Sequence, residues 1–134
     1  MTSALYFRAI ATAAVAAFIT SYIWYEVFGR ALTTVSTAAA AASAQQPAPW
    51  KIGAELGRSF VLATIVAYLM SRMTVTGWAD AVRVGFLLWL GLSAVQWAGS
   101  MLWEDVPFKM AAIHGGDWLV KLLLISIILA VWRK

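Results

Sequence analysis

Four long apolar runs, separated by short polar segments, constrain this chain more than any other feature of its sequence. They occupy about residues 9–25, 56–73, 84–103 and 110–132. A helix needs about 20 mostly apolar residues to cross a hydrocarbon core of roughly 30 Å. The pattern therefore predicts an all-α integral membrane protein, with four transmembrane helices in an up-down bundle and a single membrane domain over residues 1–134.

The composition favours lipid over water as the solvent of this fold. Of the 134 residues, 63% are hydrophobic and 12% are charged, and the mean hydropathy is +0.80, whereas a soluble domain carries about 25% charged residues. The chain has no cysteine, which excludes disulfides and thiolate metal sites. Its ten Lys and Arg residues are scattered between the apolar runs, so we expect the lipid bilayer, and no nucleic acid, as a partner.

Small residues recur every four positions in the first run, at Ala9, Ala13, Ala17 and Ser21. On a helix they form one smooth stripe, against which a second helix can pack closely in lipid. Packing within one molecule is the favoured interpretation, and contact between copies is the alternative. The following Ala-rich linker, residues 33–49, either extends the first helix or lies at the surface, and its prolines must end any helix there.

The third run carries a stripe at helical spacing: Gly85, Trp89, Leu92, Gln96, Gly99 and Trp103. Gln96 is its only strongly polar side chain, and in lipid we expect it to face protein, where its amide finds partners. Either a hydrogen bond between helices or contact with a ligand would satisfy it. The two stripes do not both fit easily inside one bundle, so we expect a homo-oligomer.

The fourth run contains His114, Asp117 and Lys121, three and four residues apart and therefore on one helix face. The uncharged stretch that follows, residues 122–132, is about 16 Å long as a helix, too short to cross the core. If the helix spans, it carries Asp117 and Lys121 into the membrane, where paired ionisable groups by default indicate function. The alternative is a structural ion pair near the interface, with Lys121 reaching outward.

The charges that flank the runs suggest an orientation. Four spans put both termini on one side, with Arg8, Arg72, Arg83, Arg133 and Lys134, and leave Arg30, Lys51, Arg58 and Lys109 on the other. This excess predicts cytoplasmic termini. Trp24, Trp50 and Trp103 would then mark the outer interface.

The remaining polar residues of the spans fall in the outer half of the membrane in this topology. With the three residues of the fourth run they make a candidate polar site, open to the outer side: Glu26, Glu55, Arg58, Gln96, His114, Asp117 and Lys121. Glu55 and Arg58 can pair on one face, and a pair at the interface is the alternative interpretation. One histidine is a poor metal signal, and Gly115-Gly116 lacks the Lys-Ser/Thr of a phosphate loop. We therefore predict no metal, cofactor or catalytic residue.

Several motifs are similar to those of a known family. They are Trp24, Tyr25, Phe28 and Gly29; GFLLWLG at residues 85–91; WEDVPFK at 103–109; and DWLVKLLLISIILAVW at 117–132. Together they resemble a bacterial family of four-helix membrane proteins, domain of unknown function 1761. The Ala-rich linker departs from that pattern. The resemblance implies a multi-pass protein of the bacterial cytoplasmic membrane and implies no activity.

Three classes of function remain open. The first is a small transporter or channel component that uses the polar site. The second is a structural or accessory subunit of a membrane complex. The third, a membrane enzyme with His114 as a base, has the least support, because a single histidine stands without a metal set.

Overall fold

The computed structural model describes residues 3–132, and four of its helices are long and apolar enough to cross a membrane. In chain order the helices are α1 (Ser3–Thr33), α2 (Thr37–Ser43), α3 (Pro49–Ser71), α4 (Trp78–Leu88), α5 (Val95–Trp103) and α6 (Phe108–Trp132). A π-helical segment, Trp89–Ala94, joins α4 to α5, so the third span runs unbroken over Trp78–Trp103. The predicted class, an all-α membrane protein with four spans, is confirmed. Arg133 and Lys134, which entered the charge count, lie outside the described residues.

Local sequence sets the helix ends around the Ala-rich linker. The linker forms the short, exposed helix α2, and the Ser36 hydroxyl caps it by accepting a hydrogen bond from the Ala39 N–H at 3.1 Å. Pro49 occupies the first turn of α3, where a missing N–H leaves no hydrogen bond unmade. The linker is therefore a separate surface helix and does not extend α1.

α6 is the central helix of the molecule. It packs between α1 and the third span, and α1 in turn packs between α6 and α3. Ser21 and Trp24 of α1 contact Asp117 and Ile113 of α6, respectively, so the order of contacts is reversed along the two chains. α1 and α6 are therefore antiparallel.

The third span approaches α6 backbone to backbone. A Cβ atom at Gly85 would lie 2.9 Å from the carbonyl oxygen of Leu122, so only glycine fits this contact. Further along the span, the Trp89 indole donates a hydrogen bond to the Gly115 carbonyl at 2.8 Å. Gly85 lies beside Leu122, whereas the later residue Trp89 contacts the earlier residue Gly115, so the third span is antiparallel to α6.

One half of the molecule is closely packed and apolar. Its core combines the small-residue stripe of α1 with side chains of α3 and α6: Ala9, Ala13, Ala17, Ala63, Val66, Ala67, Met70, Ile125 and Leu129. The Tyr6 hydroxyl closes this end by donating to the Ala67 carbonyl at 2.5 Å. The stripe therefore packs inside the molecule, and we call this region the apolar half.

Candidate functional site

The opposite half of the molecule contains a cavity between α1, α3 and α6, with a volume of about 900 Å³. Its walls are mainly aromatic and aliphatic: Phe18, Ile19, Tyr22, Ile52, Trp97 and Trp118. Small-molecule sites have volumes of roughly 300–1,000 Å³ and are lined mostly by such side chains, with a few polar groups. The cavity therefore has the size and lining of a small-molecule site.

An ion pair lies at the deep end of this cavity. Lys121 Nζ is 3.0 Å from Asp117 Oδ2, and the two side chains are 7% and 3% exposed. The Ser21 hydroxyl donates to Asp117 Oδ1 at 2.6 Å, so both carboxylate oxygens have partners. Lys121 Nζ also lies 4.6 Å from the centre of the Trp118 ring, a cation–π contact. Lys121 is thus buried beside its partner and does not reach outward.

The position of Lys121 along α6 places this pair deep in the span. Lys121 lies 13 residues after Phe108 and 11 residues before Trp132, the two ends of the helix. At about 1.5 Å per residue, these are distances of about 20 Å and 16 Å. From this depth the Lys121 side chain cannot place its ammonium group beyond either end of α6. Its charge is therefore neutralised inside the span by Asp117.

His114 lies one turn from Asp117 on the same face and forms a second polar cluster. Its Nδ1 is 2.7 Å from the Tyr25 hydroxyl, and its ring stacks on Trp97 with centroids 5.1 Å apart and planes 8° apart. Among the residues whose side chains are described, 6–132, no group hydrogen-bonds to Nε2. The ring also lines the cavity, so His114 can present Nε2 to a bound molecule.

Gly116 of α6 leaves room for the indole ring of Trp24. A Cβ atom at Gly116 would lie 2.6 Å from Cζ2 of Trp24, and the Trp24 N–H donates to the Ile113 carbonyl at 2.9 Å. These contacts do not fix the depth of Trp24 in a membrane, so its place at the outer interface stays a prediction. The indole is half-buried against α6, because the missing side chain at Gly116 gives it room.

Charged side chains surround the mouth of the cavity, where Glu26, Lys51, Glu55 and Arg58 line it. Arg58 and Glu55 form a 2.7 Å salt bridge with side chains 63% and 39% exposed. Such an exposed pair contributes about 0–1 kcal/mol to stability. The pair is therefore a surface contact, and its place at a membrane interface stays a prediction.

The family assignment follows from comparison with known proteins. A family model described as Protein of unknown function (DUF1761) matches residues 8–130. The chain is a member of the DUF1761 family. The resemblance seen in the sequence motifs is thereby confirmed. No curated protein and no solved structure matches the chain, so the roles of the site residues in this DUF1761 protein follow from their geometry.

Gln96 is the one predicted site residue that lies away from the cavity of this DUF1761 protein. Its side chain is exposed, and it is absent from the cavity lining. The π-helical segment Trp89–Ala94 explains the error. An α-helix turns about 100° per residue, which would align Gln96 with Trp89, but a π-helical turn adds a residue and shifts the register. Trp97 therefore takes the inward position and stacks on His114.

Among the lining residues of the DUF1761 site that were not predicted, four contact His114, Asp117 or Lys121: Ser21, Tyr25, Trp97 and Trp118. Ser21 belongs to the small-residue stripe, where its hydroxyl was the signal that distinguished it from the alanines. Tyr25 lies one residue before Glu26 and was noticed only as a family motif. The two tryptophans look like ordinary span residues in the sequence, and only the packing of α6 shows their roles.

Proposed function

We propose that this protein is a small transporter or channel component whose solute site is the cavity between α1, α3 and α6. One observation carries the proposal: the cavity extends from the charged mouth to the buried Asp117–Lys121 pair midway along α6. Buried ionisable residues inside a span typically mark pathways for solutes or ions. The apolar half closes the molecule beyond the pair, so passage requires that half to open.

We further propose a setting for this activity. The protein lies in the bacterial cytoplasmic membrane with both termini cytoplasmic, its spans cross in alternating directions, and the cavity opens to the outer side. The charge count of the sequence supports this orientation, because the end with the termini has five flanking Lys and Arg residues and the other end has four. We also propose a homo-oligomer.

Solute permeation into liposomes tests the transport proposal. The purified protein is reconstituted, and osmotic swelling is measured with glycerol, glycine, acetate and methylammonium as probes. Wild type should admit at least one probe faster than liposomes without protein. Ile52→Trp, which narrows the cavity, should slow that entry, whereas Ile65→Trp, at an exposed position of the same helix outside the lining, should not. Equal permeability with and without protein for all four probes overturns the proposal.

A structural or accessory subunit is the second candidate. The exposed outward surface of the third span supports it, since Leu92 is 67% and Trp103 is 83% exposed. If the protein is such a subunit, none of the probes should permeate. Substitution of these two side chains should then disrupt a complex with a partner protein.

A further inference from the structure

The Gln96 amide faces outward from the third span at a depth where lipid surrounds it. The side chain is exposed, and no group of residues 6–132 hydrogen-bonds to it. Gln96 lies 18 residues after Trp78 and 7 before Trp103, which places it about 8 Å from the middle of the span. Hydrocarbon offers neither donor nor acceptor to an amide, so this position requires a partner from outside the chain.

We propose that a second copy of this chain covers the Gln96 face, the surface formed by Leu92, Gln96, Gly99 and Trp103, and that the two Gln96 amides hydrogen-bond to each other. A carboxamide carries both donors and an acceptor and is therefore complementary to itself. A two-fold axis along the membrane normal places each residue and its copy at the same depth. A different protein would need a polar group at that same depth, whereas a second copy supplies one by symmetry.

The shape of the surface around the amide suits close helix contact. A Cβ atom at Gly99, one turn from Gln96, would meet no atom within 4 Å, so the backbone is open to an approaching helix there. Small residues at helix interfaces in lipid permit such approach. Leu92 and Trp103 are largely exposed on either side of Gly99 and provide the apolar contact area.

Because of the π-helical turn, the Gln96 face and the cavity lie on different sides of the third span. Trp97 faces inward, where it stacks on His114 and lines the cavity, and its neighbour Gln96 faces outward. The proposed dimer therefore forms on the side of the third span away from α6 and leaves the mouth of the cavity open. The proposed dimer interface does not depend on whether the cavity binds a solute.

Cysteine cross-linking in lipid nanodiscs or proteoliposomes tests the proximity, because the chain has no native cysteine. Gly99→Cys should form a disulfide between copies on mild oxidation. Gly57→Cys is the matched control: it is an exposed glycine of α3 with no atom within 4 Å of its Cβ position. It should not form a disulfide between copies. Efficient cross-linking at position 57 with none at position 99 overturns the proposal.

Energy transfer between copies labelled at an exposed linker site, Gln45→Cys, tests the amide contact. Gln96→Leu should raise the dimer dissociation constant by about threefold to thirtyfold, the range for one hydrogen bond between helices in a membrane. Gln96→Asn, which keeps the carboxamide, should retain most of the affinity. A monomer at every protein-to-lipid ratio overturns the proposal. So does an unchanged dissociation constant in Gln96→Leu, or capture of Gly99→Cys by another protein without any dimer.

Discussion

Lys121 neutralises Asp117 across 3.0 Å in the middle of α6, and Ser21 of α1 donates to the same carboxylate. The pair is therefore satisfied within the molecule even though it lies far from either helix end. Its position at the deep end of the cavity, next to the apolar half, makes it the boundary between the cavity and the closely packed part of the molecule.

The energetic coupling of this pair is the first prediction. Asp117→Asn and Lys121→Met should each lower the free energy of unfolding strongly, since removal of one partner from a buried pair costs about 3–5 kcal/mol. The double variant should cost less than the sum of the two single changes, because it leaves no unpaired charge. Thermal stability of all four proteins in one detergent measures the coupling. Two small effects that simply add, each of about 0–1 kcal/mol as for exposed pairs, would contradict a buried pair.

The packing of the Trp24 indole against Gly116 gives the second prediction. Gly116→Ala should destabilise the fold by about 1–3 kcal/mol, because its Cβ would lie 2.6 Å from the indole ring and displace it from the Ile113 carbonyl. Gly115→Ala is the control, since its Cβ would lie 3.7 Å from Trp97, an ordinary contact. It should be neutral or slightly stabilising, as alanine favours helix. Equal melting temperatures for the two variants would mean that the Trp24 indole does not pack against Gly116.

Orientation in the membrane is the third prediction. Single cysteines at Arg83 and Glu104 lie at opposite ends of the third span. With cytoplasmic termini, an impermeant thiol reagent added to intact cells should label Glu104→Cys and leave Arg83→Cys unlabelled until the cells are opened. The reverse pattern would invert the proposed topology and turn the cavity toward the cytoplasm.

The sequence was sufficient to predict the spans and the polar face of α6. Hydropathy depends on composition over about 20 residues, and the spacing of His114, Asp117 and Lys121 determines a shared face on any regular helix. The outward position of Gln96 could not be predicted in this way, because the pattern assumes an unbroken α-helical register. The π-helical segment Trp89–Ala94 shifts that register.

The contacts of α1 show a second limit of sequence analysis. Ser21 shares its stripe with Ala17, and both are small, so the stripe alone predicts close packing for both. Ala17 is fully buried in the apolar half, whereas Ser21 lines the cavity and bonds to Asp117. The difference arises from where α1, α3 and α6 stop packing against each other, which is a property of three helices and not of one.

Water access to the Asp117–Lys121 pair tests the central claim most directly. The claim requires that Ser21→Cys react with a small, charged methanethiosulfonate reagent in lipid nanodiscs, because the cavity brings water to that position. Ala17→Cys, one turn away in the apolar half, is the matched control. We predict much faster modification at position 21 than at position 17. Equally slow modification at both positions would contradict a water-filled cavity and leave the ion pair a purely structural contact.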